Sequence, residues 1–139
     1  MNHITWALIA LVAYTFVPIF TDLATRTIPS DVAALVSNTI LVVATIALVL
    51  VTEQEVSEYL AAPNAIYMYA TGVCLAVGII TYYRALGSGP VSVVVPIFGM
   101  FIVTSSVVSA VFVPGDAFSV RKALSVVLAI AAVYLAATG

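Results

Sequence analysis

Apolar residues run along this chain in long unbroken blocks separated by short polar connections. The blocks cover about residues 4–23, 32–51, 65–86, 91–113 and 120–137. A helix needs about 20 apolar residues to cross a bilayer, and the first four blocks meet that length. The fifth is apolar only from Ala123, close to the lower limit of about 17 residues, and Arg121 and Lys122 at its start can reach out to the headgroups. A transmembrane barrel strand would alternate apolar and polar positions over about 10 residues. Residues 41–51 and 126–133 do not alternate. The pattern therefore predicts an all-α integral membrane protein, a single domain over residues 1–139 with five transmembrane helices.

The connections carry turn chemistry. Thr27-Ile28-Pro29-Ser30-Asp31 ends the first span and offers Ser30 or Asp31 as an N-cap for the second. Glu53 to Asn64 is the longest connection and holds Glu53, Glu55, Glu58 and Pro63. Gly87-Ser88-Gly89-Pro90 and Pro114-Gly115-Asp116 permit tight reversals, so spans three and four are expected side by side and antiparallel. Ser119 is placed to cap the last helix. The first block has no Lys or Arg before it and is longer than a signal-peptide core, so it reads as a true span.

Composition sharpens this picture. Of 139 residues, 64% are hydrophobic and 7% are charged, against roughly 25% charged in soluble domains. Too little chain remains outside the spans for a soluble catalytic domain, and four dispersed bases make no stripe for nucleic acid. Cys74 is the single cysteine, which excludes an intrachain disulfide or a cysteine metal cluster. His3 is unpartnered, and Gly87-x-Gly89 before a proline is a turn and not a nucleotide fingerprint. No cofactor is implied, and an enzyme is not expected.

The charges that exist divide evenly. Arg26 and Arg84 fall on one predicted side of the membrane, Arg121 and Lys122 on the other. Loop Lys and Arg normally set orientation, so this balance leaves it undetermined, as expected of a chain that inserts both ways. Four charges can equally be too few to decide. With five spans the two ends lie on opposite faces, and a second copy fused after Gly139 would be inverted, the arrangement many transporters use around a midplane site. A single five-span chain reaches it by pairing with an antiparallel copy.

The second half of the chain carries a more specific pattern. Tyr82-Tyr83-Arg84-Ala85-Leu86 precedes a small-residue turn and Val91-Ser92-Val93-Val94-Val95-Pro96, then a long apolar span, Gly115-Asp116, Phe118-Ser119 and a closing helix ending Val133-Tyr134-Leu135. This resembles the drug/metabolite transporter superfamily, in particular its EamA-type five-helix domain. In that family a tyrosine-rich end of span three leads into a span with an early proline, and a Gly-Glu pair precedes the last helix. The resemblance covers about the last 70 residues by motif and the first 60 by span spacing. Asp116 stands in place of the usual Glu, Ala123 and Ala131 in place of common glycines, Ser37 and Asn38 where many members carry arginine, and Ala13-Tyr14 in place of Trp-Gly. Members usually hold two such domains, so this chain looks like one half. The resemblance implies a half-size exporter or exchanger of small metabolites or drugs in the cell membrane, working by alternating access as a homodimer. No acid lies in the middle of a span, so the proton exchange of the related four-span small multidrug resistance proteins does not transfer.

Several residues can serve a solute or merely the fold. Asp22 is an ionisable group near hydrocarbon depth and so a functional candidate, yet Arg26 four residues later can pair with it. Arg84 can fork onto an anionic solute or snorkel. Pro18 and Pro96 each leave a carbonyl without its helical donor, which suits either a cavity between spans one and four or a packing kink. Tyr14, Thr15, Asn38, Tyr82 and Tyr83 are polar groups in apolar surroundings, either a cavity lining or interhelical glue. Trp6, Tyr67 and Tyr69 read as interface aromatics. Gly72, Ala76 and Gly78 in span three, and Ser105, Ser106, Ser109 and Ala110 in span four, make small faces for close packing within the chain or across a dimer. From a different class, a non-transporting accessory membrane subunit would also account for small faces and scarce charge, as would a fragment of a ten-span protein.

Overall fold

The computed structural model describes residues 2–112 and 119–138. Six helices follow in order: α1 His3–Thr25, α2 Ser30–Val51, α3 Val56–Leu60, α4 Ala65–Leu86, α5 Val91–Phe112 and α6 Val120–Thr138. Among the described residues there is no strand, as expected where lipid leaves the backbone only itself to bond with. Four helices are long and apolar enough to cross a membrane: α1, α2, α4 and, over Val91–Ser109, α5. The apolar stretch of α6, Ala123–Leu135, is shorter, so a fifth span does not follow from length and composition alone. The expected turn at Pro114-Gly115-Asp116, and the side chains of Ala110 and Lys122, lie outside the described residues.

Each boundary has a local cause. Asn2 caps α1, its side chain accepting from the Ile4 N–H. The helix cannot pass Pro29, which lacks an N–H and turns the preceding residue away from helical geometry. Pro29 itself takes the N-cap position of α2, with no side-chain cap. Ser30 and Asp31, expected as caps, are instead the first helical residues, because the proline carbonyl already accepts from Val32 and Ala33 at 3.0 Å. At the far end of α2, the Gln54 N–H bonds the Val49 carbonyl and the Glu53 N–H the Leu50 carbonyl, both at 3.3 Å. This Schellman pattern puts its left-handed residue at Glu53, with φ of 52°, where glycine is usual. The connection beyond it was expected as a loop and contains the single turn α3. The Tyr69 hydroxyl donates to the Leu60 carbonyl at 2.9 Å and ties that turn to α4. Ser119 stands before α6, and its carbonyl accepts from the Ala123 N–H at 2.9 Å.

Contacts divide the chain into two compact units, residues 1–88 and 89–139. In the first, α1, α2 and α4 pack pairwise, with α2 and α4 antiparallel. Their buried residues gather at one end: Pro18 and Thr21 from late in α1, Ala33 and Ala34 from early in α2, and Tyr82, Tyr83 and Leu86 from late in α4. Gly87 completes this end. A Cβ there would stand 3.4 Å from Ser30 Cβ, so the missing side chain is what lets the start of α2 approach. Toward the other end the helices offer mostly exposed faces, Ala65 excepted. In the second unit α5 packs along α6, with Val103 buried and Phe98 tilted against Phe101 at a centroid distance of 5.2 Å.

Several hydroxyls bond back to their own helices. Thr15 donates to the Leu11 carbonyl, Ser37 to Ala33, Thr71 to Tyr67 and Thr81 to Val77, each within its own helix at 2.7–2.8 Å. Thr104, Ser105 and Ser106 do the same in α5. The one donor of the Thr15 hydroxyl is thus used within α1.

Candidate functional site

The convergence of three helices at one end opens a cavity of about 590 Å³ along the α2–α4 groove. This falls within the range of small-molecule pockets, about 300–1,000 Å³. From α2 it is lined by Asp31, Ala34, Leu35, Asn38 and Leu41, and from α4 by Gly72, Leu75, Ala76, Ile79, Ile80 and Arg84; α1 adds Tyr14. Steps of three and four residues place each set on one helical face, so the regular backbone alone aligns the two walls. All of these residues belong to the first unit.

The walls are apolar and the polar groups are few. Arg84 and Asp31 form a side-on ion pair across the groove, Nε to Oδ1 at 2.9 Å and Nη2 to Oδ2 at 3.0 Å. The pair marks the end where the helices converge. Further along, Asn38 donates through Nδ2 to the Ala34 carbonyl at 2.8 Å, which holds the amide along its own helix and leaves Oδ1 able to accept. Tyr14 is 70% exposed. Pro18 has no N–H to offer the Tyr14 carbonyl one turn earlier, which leaves that carbonyl without its helical donor. Gly72 and Ala76 keep the α4 wall low, and nothing lies within 4 Å of where a Gly72 Cβ would stand.

The structure brings together Tyr14, Asn38, Arg84, Gly72 and Ala76 of the residues singled out from sequence. Tyr82 and Tyr83 do not line this cavity; at 8% and 5% exposure they fill the packed end. Pro18 is buried in the same end. Thr15 is exposed on α1, and Gly78 on α4 faces open space. Pro96, Ser105 and Ser109 lie in α5, in the second unit. Asp22 pairs with Arg26 at 2.9 Å, four residues apart on α1.

Sequence reasoning missed Asp31 as the partner of Arg84, and with it took Arg84 as either an anion hook or a snorkelling group. A signal was present. A short first loop makes α1 and α2 a hairpin, and an antiparallel α4 then ends where α2 begins, which sets an acid in a first turn opposite a base in a last turn. The apolar lining of Leu35, Leu41, Ile79 and Ile80 carried no such mark in a chain where most positions are apolar. Among the described residues, no group of three His, Cys, Asp or Glu side chains could hold a metal ion.

A model of the EamA-like transporter family matches residues 1–138 of the chain. No curated protein and no solved structure matches it.

Proposed function

The chain belongs to the EamA-like transporter family, whose members are membrane transporters, and from this premise we propose that it is a half-size carrier of small metabolites or drugs. It uses five spans, α1, α2, α4, α5 and α6, the last completed by Arg121 reaching the headgroups. Two copies pair in antiparallel orientation in the plasma membrane and expose the groove alternately to either side. The observation that carries this reading is the cavity itself: apolar walls, a few convergent polar groups, and a size suited to a small organic solute.

Two further features support the paired arrangement. The Lys and Arg residues divide evenly between the two predicted faces, and Gly78 and Gly99 leave open space where a second helix can approach closely. No acid stands at mid-span to carry a proton, which favours facilitated diffusion or exchange over proton coupling. Purified chain in proteoliposomes is expected to accelerate counterflow of an amphipathic solute, and Gly72→Leu, which fills the groove, to abolish it. Side-specific reporters on each terminus are expected to detect both orientations. A single orientation removes the antiparallel pair, and absence of any solute flux returns the chain to the accessory-subunit reading.

A further inference from the structure

We propose that the Asp31–Arg84 pair sets the charge selectivity of the cavity, admitting amphipathic solutes whose polar head is dipolar and carries no net charge. Each residue, deprived of the other, becomes a site for a head of the opposite sign. The inference rests on the reading of the groove as the solute site and adds a substrate class to it.

The pair stands in an unusual position for a structural contact. Arg84 is 63% and Asp31 61% exposed, and exposed ion pairs contribute little to stability. The end of the bundle where they sit is already held by Pro18, Thr21, Ala33, Tyr82, Tyr83 and Leu86. Its two side chains, however, line the cavity, where the walls supply no other charge. The side-on geometry uses Nε and one Nη2 hydrogen of the guanidinium. The remaining donors of its five, and the outer lone pairs of the carboxylate, are left for a bound head.

Electrostatics then selects the solute. A net anion is drawn to Arg84 and repelled by Asp31, and a net cation the reverse, so the two terms largely cancel. A dipolar head lying alongside the pair with its charges reversed gains from both partners. The neighbouring charges do not disturb this balance, because Asp22 and Arg26 at the same end are engaged with each other. Beyond the pair the groove runs to Leu41 on α2, ten residues from Asp31, or about 15 Å at helical rise. That length takes an apolar body, with the Tyr14 hydroxyl and Asn38 Oδ1 as its hydrogen-bonding points.

The test uses three probes with one phenylalkyl body, ending in a carboxylate, a trimethylammonium or a betaine. Their binding to the full chain in lipid nanodiscs is measured by equilibrium dialysis. The native chain is expected to bind the betaine about tenfold more tightly than either ion, about 1.4 kcal/mol in binding free energy. Asp31→Asn should gain about tenfold for the carboxylate, and Arg84→Gln about tenfold for the trimethylammonium. The exchanged pair Asp31→Arg/Arg84→Asp should return the preference for the betaine, and its recovery shows that the single variants lost selectivity and not the fold. An unchanged order of head groups in the native chain and both single variants overturns the proposal, as does a lack of saturable binding by every probe. Because binding is read without transport, the expected order in a chain that moves no solute would retain the selectivity and reject only the carrier reading.

Discussion

The two ends of the first unit are built from the same three helices, yet most of the buried residues lie at one of them. At one end Pro18, Thr21, Ala33, Ala34, Tyr82, Tyr83 and Leu86 are buried and Gly87 meets Ser30. At the other, Leu48, Leu50 and Val51 of α2 and Tyr67 of α4 are between 62% and 80% exposed. Hydrophobicity cannot account for the difference, since lipid solvates Leu as well as a neighbouring helix does. Shape can. Alanines and a glycine on α2 and α4 bring the backbones close enough for two tyrosines and a leucine to be enclosed, whereas the β-branched and leucine-rich far half of α2 keeps its neighbours apart. Charge follows the same division: the packed end has its acids and bases paired within the unit, and the open end carries Glu53, Glu55 and Glu58.

This contrast can be broken most severely at Tyr83. Tyr83→Ala empties a buried site and is expected to cost about 3 kcal/mol, whereas Tyr67→Ala at the open end should stay within about 0.5 kcal/mol. Reversible unfolding by denaturing detergent in bicelles measures both; equal effects would erase the distinction between the ends. Next in size is Gly87→Val, which forces methyl groups against Ser30 and the Tyr83 carbonyl, each already 3.4 Å from the position of a Cβ, for about 2 kcal/mol. Leu50→Ala, at an exposed position of α2, should change stability by no more than about 0.5 kcal/mol in the same assay. A gain is expected at Glu53→Gly, which relieves a left-handed residue with a side chain and should stabilise the chain by about 1 kcal/mol. Smallest is Arg26→Gln, which removes a pair within one helix whose arginine side chain is 67% exposed and should shift stability by no more than about 0.5 kcal/mol.

The long helices were legible because their signal is redundant. Twenty apolar residues between proline and glycine turns leave the backbone one way to bond in lipid, and α1, α2, α4 and α5 begin and end within about two residues of the apolar blocks. The single turn of α3 was not legible, since the five residues Val56–Leu60 are too few to show a helical period. The candidate site was legible where a polar residue broke an apolar face, as Tyr14, Asn38 and Arg84 do, and Gly72 and Ala76 stood out by their small size. Tyr82 and Tyr83 carry the same polar mark and serve the packed end instead, because the face that each helix packs is revealed only once the helices are assembled. Asp31 was hidden for a different reason: next to a proline turn it looked complete as a cap, and its real partner is 53 residues away.

The hydroxyls that bond back to their own helices bear on how such a chain is made. Thr15, Ser37, Thr39, Thr45, Thr71 and Thr81 are satisfied before any neighbour arrives. These hydroxyls therefore need no neighbouring helix to satisfy them when their segments enter the membrane. Assembly then becomes a separate step governed by fit, and a helix entering in either direction meets the same terms.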